Sequence, residues 1–118
     1  MRTIDLDALA WSTLIESFKD ANTLLEQLPQ EFLDHTNFNP LLFIETLENF
    51  ANNSDEFIPA MQRRIFRLVV KKVIFDLEYL ELEFDTDGVM EFFCELLDPQ
   101  KDRSKMYRRI FAEVRGRR

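Results

Sequence analysis

The sequence predicts an all-α fold, a compact bundle of about five helices packed around a long central helix at residues 58–84. Only two glycines and four prolines occur in 118 residues, which favours long elements over a turn-rich β architecture. Several segments place apolar residues at steps of three and four, as on one face of a helix. The densest of them, residues 63–84, contains no Pro, Gly, Ser, Thr or Asn.

The first two helices have clear sequence boundaries. Residues 5–28 form the first, because apolar residues recur there at alternating steps of three and four, and Pro29 ends it. Asn39 followed by Pro40 is typical of an N-cap and a first helical position, so a second helix is predicted over Pro40–Ala51. The face of the first helix consists of Trp11, Leu14, Phe18, Ala21, Leu25 and Leu28.

The third helix is the central one, and Pro59 belongs in its first turn. Residues 75–84 are ambiguous, since acidic and apolar residues alternate there until the alternation changes parity at Leu80. A single regular strand does not fit that change, so we favour helix. The apolar face is wide enough to be covered from more than one side, and it includes Phe66, Val69, Val73, Leu77, Leu80 and Phe84.

Two shorter helices complete the predicted bundle. Thr86 or Asp87 is expected to cap a helix that ends at Leu97. Asp98 and Pro99 then introduce an amphipathic helix over about residues 100–114. The prediction is therefore a single helical domain, residues 1–114, followed by a frayed basic tail, residues 115–118.

The sequence shows no arrangement typical of catalysis, so we predict that the protein is not an enzyme and needs no cofactor or metal. His35, the only histidine, is expected to be a solvated loop residue. Residues 83–94 resemble half of a calcium-binding EF-hand loop, with Gly88 at the sixth position. The last position, which must be a bidentate carboxylate, is Cys94, so a helix cap is the favoured interpretation.

The cysteine content and the N-terminal residues indicate a cytoplasmic protein. Cys94 is the only cysteine, which excludes an intramolecular disulfide and favours a reducing compartment, where a buried, inert thiol is expected. The first residues carry acids where a signal peptide needs an apolar core. No window reaches the roughly 18 apolar residues that span a bilayer.

Charge is segregated along the chain, whose net charge is −7. Residues 1–98 carry a net −13 and residues 99–118 a net +6. Arg63, Arg67 and Lys71 would line one stripe of the central helix, and they either bind an acidic partner or pair with acids of neighbouring helices. The candidate partner-binding residues are Arg63, Arg64, Arg67, Lys71, Lys72, Arg108, Arg109, Arg115, Arg117 and Arg118.

These features favour a non-enzymatic cytoplasmic protein–protein interaction module, either a homodimer or a subunit of a larger assembly. A more specific form of this prediction is that the protein is a stoichiometric acidic inhibitor of a basic protein, like an immunity protein or an antitoxin. The alternative is a nucleic-acid-binding regulator that uses the basic helix stripe and the basic C-terminus. Neither a membrane nor a small molecule is indicated as a partner.

Overall fold

The structure, a computed structural model, describes residues 6–76 and 79–116, so the predicted helix start at Asp5 lies outside it, as does Leu77. Within those residues the predicted helical bundle is confirmed, with one small sheet added. A 3-10 turn at Ser54–Glu56 lies between the fourth and fifth helices. The elements are α1 (Leu6–Lys19), α2 (Ala21–Gln27), α3 (Gln30–Leu33), α4 (Pro40–Asn52), α5 (Pro59–Val69), β1 (Val70–Phe75), β2 (Leu80–Phe84), α6 (Thr86–Leu96) and α7 (Lys101–Gly116).

The segment predicted as one helix over residues 5–28 is two helices. Asp20 separates α1 from α2, with φ −107° and ψ 56°, outside the helical region. Its carboxylate accepts a hydrogen bond from the Thr23 hydroxyl at 2.7 Å, and a local bond of this kind competes with a continuous helix. The predicted apolar face nevertheless stays together across the break, because Leu14, Phe18, Ala21 and Leu28 are all buried.

An asparagine cap marks the start of α4, and a proline in the first turn marks the starts of both α4 and α5. Asn39 Oδ1 accepts hydrogen bonds from the N–H groups of Leu41 and Leu42, at 3.0 and 3.3 Å. Pro40 and Pro59 occupy the first turns of their helices, where a missing N–H costs nothing. The N–H of Asn39 also donates to the Tyr107 hydroxyl at 3.1 Å, which holds the start of α4 against α7.

The predicted central helix over residues 58–84 is wrong beyond Val69, where the chain leaves the helical conformation. Residues 70–75 and 80–84 instead pair as antiparallel strands, and the pairing is irregular between Val70 and Lys72. The segment contains the β-branched pairs Val69-Val70 and Val73-Ile74, which suit extended backbone better than helix. The Val69 carbonyl accepts a hydrogen bond from the Asp85 N–H at 2.8 Å, which closes the base of the hairpin.

The core is rich in aromatic residues and joins helices from both halves of the chain. Phe18 of α1 lies near Phe50 of α4, Phe92 of α6 and Phe84 of β2, with ring centroids 5.8, 6.0 and 6.1 Å away. Phe84 therefore connects the hairpin to the core, and Val70 and Leu82 of the hairpin also pack against it. The N-terminal helices, α4 and α6 share a single hydrophobic cluster with α7.

Gly88 lies where α6 packs closely against the backbone at the end of α5. A Cβ built at this position would lie 1.8 Å from the Leu68 carbonyl oxygen and 3.4 Å from the Val69 Cα. Because both atoms belong to backbone, a side-chain rotation cannot relieve such a contact. Glycine at position 88 thus permits the packing of α6 on α5.

We predict that Gly88→Ala destabilises the fold. Replacing glycine by alanine in a helix interior would by itself stabilise the helix by about 1 kcal/mol. Moving backbone to relieve overpacking costs about 1–3 kcal/mol or more. At 1.8 Å the clash dominates, so we expect a net loss on the order of 2 kcal/mol in urea unfolding followed by circular dichroism. Lys105→Ala, an exposed change on α7, is the control and should stay within about 0.5 kcal/mol.

Candidate protein-interaction site

The outer strand of the hairpin is exposed on both faces. In β1, residues 71–75 are all exposed, whereas β2 alternates between half-buried and exposed residues. The exposed fractions of Val73, Ile74 and Phe75 are 40%, 38% and 59%, which is unusual for large apolar side chains. The sheet has two strands, so among the described residues no third strand pairs with β1. We call Val73–Phe75 the open edge.

The strand pairing determines which backbone groups face outward from the open edge. The Asp76 N–H donates to the Tyr79 carbonyl at 3.0 Å, so this pair is hydrogen-bonded across the hairpin. In an antiparallel ladder such pairs alternate with pairs that are not hydrogen-bonded. By this alternation Ile74 directs its N–H and C=O toward β2, while Val73 and Phe75 direct theirs away from it.

The register also divides the side chains of the hairpin between its two faces. Val73 and Phe75 lie opposite Leu82 and Leu80, which makes one face apolar. Lys72 and Ile74 lie opposite Glu83 and Glu81 on the other face. Edge strands of native proteins are normally protected by charges, prolines or irregular pairing. Here such features cover only the start of β1, where the irregularity and two lysines lie, and the open edge has none of them.

A second exposed apolar surface lies between α1 and α5. It is a groove of about 460 Å³, lined by Trp11, Pro59, Gln62, Arg63, Phe66 and Arg67 among others. Ile58 and Met61 near the start of α5 are 59% and 45% exposed. A further groove of about 380 Å³ lies between α1, α2 and β2 and is lined partly by acids, including Glu16, Asp20 and Glu81.

The predicted basic stripe does not extend along one helix, because Lys71 lies in β1. Its nitrogen is 4.0 Å from a Glu83 oxygen. Arg64 is paired with Glu95 at 2.6 Å. Arg63 and Arg67 are exposed on α5 and form no ion pair within the described residues. The stripe is thus divided between paired and unpaired cations.

The other predicted cations have different environments. Arg108 is held by two carboxylates, Glu91 at 3.0 Å and Asp98 at 3.3 Å. Lys72 and Arg109 are exposed, and α7 runs to residue 116, so it includes position 115 of the predicted tail. The side chain of Arg115 and all of Arg117 and Arg118 lie outside the described residues.

Residues 83–94 run from the end of β2 through a helix cap into α6. Asp85 caps α6 by accepting a hydrogen bond from the Gly88 N–H at 3.1 Å, so the cap is one residue before the predicted Thr86 or Asp87. Gly88 itself lies inside α6 rather than in a loop. Across residues 6–76 and 79–116, no group of three or more His, Cys, Asp or Glu side chains is arranged to hold a metal ion.

The two residues singled out for their reactivity are both engaged in structural contacts. His35 is not simply solvated, because its Nε2 lies 2.9 Å from a Glu113 oxygen and joins α7 to the loop after α3. Cys94 is buried, as predicted, and burial raises the pKa of its thiol to about 11. The Ser104 hydroxyl is 3.2 Å from the Cys94 carbonyl oxygen and 2.9 Å from Asp98 Oδ1.

Compared with known proteins, the chain matches no family model, no curated sequence and no solved structure. No helix in the described ranges has the length and apolar character that crossing a membrane requires. The geometry of the open edge is therefore the main evidence from which a function can be inferred.

The buried thiol leads to a first prediction about reactivity. With a pKa near 11, only about one thousandth of the Cys94 side chains are thiolate at about pH 8. Only the thiolate reacts with a disulfide reagent. We expect an aromatic disulfide reagent to modify the folded protein at least about a hundred times more slowly than the urea-unfolded protein. Equal rates would show that the packing around Cys94 opens readily.

A second prediction concerns acid stability. The hydrogen bond from Ser104, together with nearby Arg108, lowers the pKa of the Asp98 carboxyl below its usual 3.8. A carboxylate with a lowered folded pKa contributes stability above its unfolded pKa, and this contribution is lost as pH falls through the folded pKa. When the pH is lowered from about 6 to about 3, the free energy of unfolding measured in urea should therefore fall more for the unaltered protein than for Asp98→Asn. Equal losses would mean that Asp98 does not stabilise the fold.

Proposed function

We propose that the chain is a non-enzymatic protein–protein interaction module that associates with a second copy of itself through the open edge of its hairpin. The main support for this proposal is the exposure of Val73, Ile74 and Phe75 on strand β1. Among the described residues, no further strand pairs with the outer edge of β1. A strand in this state offers both hydrogen-bonding groups and apolar area to another strand.

The proposed association differs from charge-driven binding in its response to salt. Each copy carries a net charge of −7, so two copies repel each other at long range. Strand pairing and burial of apolar side chains act at contact and do not depend on opposite net charges. Raising the salt concentration therefore leaves the association unchanged or strengthens it, because salt screens the repulsion.

We also propose a cytoplasmic location, because the single cysteine is buried and forms no disulfide within the chain. The narrower version, an acidic inhibitor of a basic protein, is supported only by the overall charge. The open edge offers apolar and backbone contacts, and these fit a strand more closely than they fit a basic surface. Self-association is therefore the form of interaction that the geometry supports best.

Nucleic-acid binding remains the second candidate, and Arg63 and Arg67 are the observation that favours it. Both are exposed beside Trp11 and Phe66 at the groove between α1 and α5. Three other predicted cations, Arg64, Lys71 and Arg108, already have carboxylate partners, which weakens this candidate. Binding of this kind would fall steeply with salt. Light scattering with a short duplex at low and high salt therefore separates it from strand pairing.

We predict that Val73→Pro weakens self-association. Proline removes the outward N–H of residue 73 while the bonds within the hairpin, made by its neighbours, remain. Each copy loses one donor, so the dimer loses two hydrogen bonds. At a net value of about 0.5–1.5 kcal/mol per bond, Kd should rise about five- to a hundredfold. The measurement is light scattering after size exclusion over a range of protein concentrations.

Val73→Thr is the matched control, because threonine keeps the N–H and the branched Cβ. It should change Kd far less than Val73→Pro does. Circular dichroism of both variants checks that the fold is retained. The proposal fails if the unaltered protein stays monomeric at high concentration, or if Val73→Pro associates as tightly as the unaltered protein.

A further inference from the structure

The open edge also constrains how the second copy binds, an inference that rests on the proposed self-association. We infer that two hairpins pair antiparallel, with Ile74 of each copy facing Ile74 of the other on a twofold axis, so that they form one four-stranded sheet. A twofold axis perpendicular to a sheet keeps each face continuous across the new pair. Residues that meet across the axis must therefore come from the same face of β1.

The backbone fits this register. Val73 and Phe75 are the residues whose N–H and C=O groups point outward, by the alternation that starts from the Asp76–Tyr79 bond. With Ile74 on the axis, Val73 of each copy lies opposite Phe75 of the other. Each of these two pairs exchanges two hydrogen bonds, so every outward group of the open edge is satisfied.

The side chains fit it as well. On the apolar face, Val73 and Phe75 of one copy meet Phe75 and Val73 of the other, an aromatic and β-branched combination that is favourable across strands. This contact joins two apolar faces that already include Leu80 and Leu82. On the opposite face, Lys72 of each copy lies opposite Asp76 of the other, so the charges are complementary.

The neighbouring registers are less favourable. An axis through Val73 places Lys72 opposite Ile74 and requires Lys71 to pair, at the irregularity between Val70 and Lys72. An axis through Phe75 places Ile74 opposite Asp76. In both cases an apolar side chain faces a charged one, and the match between Lys72 and Asp76 is lost. Only the Ile74 register combines regular backbone pairing with matched side chains.

Cysteine cross-linking tests the register directly. Residues that meet at a pair without hydrogen bonds have Cβ atoms about 4.5–5.5 Å apart, close to the spacing that a disulfide requires. Ile74→Cys places two thiols at such a position on the axis. We expect mild oxidation to convert most of this variant to a covalent dimer on a non-reducing gel. Cys94 can remain in place, because it is buried and its thiol is mostly protonated.

Two controls make the test specific. Val73→Cys places the thiols on residues that face Phe75 of the other copy, so its cross-linking should be at least about tenfold slower. The unaltered chain, with Cys94 alone, should form no covalent dimer under the same conditions. The cross-linked Ile74→Cys dimer should retain the circular dichroism of the unaltered protein, because the disulfide forms in the native pairing.

The outcomes separate this inference from the proposed function. Rapid cross-linking at position 74 and slow cross-linking at position 73 support the register. Faster cross-linking at position 73, in a protein whose dimer is weakened by Val73→Pro, overturns the register and leaves self-association through the open edge intact. A strictly monomeric protein that cross-links at neither position overturns both.

Discussion

The close approach of α6 to the end of α5 is the constraint on which the rest of the structure depends. The Val69 carbonyl accepts a bond from the Asp85 N–H at 2.8 Å, so positions 69 and 85 must be adjacent. A continuous helix from position 69 to position 85, at about 1.5 Å per residue, would separate them by about 24 Å. The segment therefore has to run out and return, which an antiparallel hairpin does. Gly88 permits this contact because it has no Cβ to meet the Leu68 carbonyl.

The helical part of the fold could be predicted because its signals are local. Asn39, Pro40 and Pro59 mark helix starts by their own chemistry, and the structure places them there. The buried face of the N-terminal helices follows from the spacing of apolar residues, even though the chain breaks at Asp20. The break itself was not predicted, since its visible cause, the bond between Asp20 and Thr23, joins two residues that are ordinary on a helix surface.

The hairpin could not be predicted with the same reasoning, because its cause is a contact between distant residues. Residues 77 and 78, between the strands, are Leu and Glu, and neither is typical of a tight turn. The change of parity at Leu80 was the available signal. It is incompatible with one strand but is what two paired strands produce when Phe75 lies opposite Leu80. Without knowledge of the contact between Val69 and Asp85, continued helical spacing was the simpler interpretation.

The predicted site residues were all basic, so the open edge was not among them. The wide apolar surface of residues 63–84 indicated a contact surface, and the exposed Val73, Ile74 and Phe75 belong to that segment. On a helix these residues would be spread around the axis, whereas on a strand they form one edge with outward backbone groups. The other strand, β2, packs against α1 through Phe84 and carries Glu81 and Glu83, which disfavour further strand addition. Under the proposed self-association, one open edge and one charged edge allow a single pairing, which corresponds to a closed dimer rather than a growing sheet.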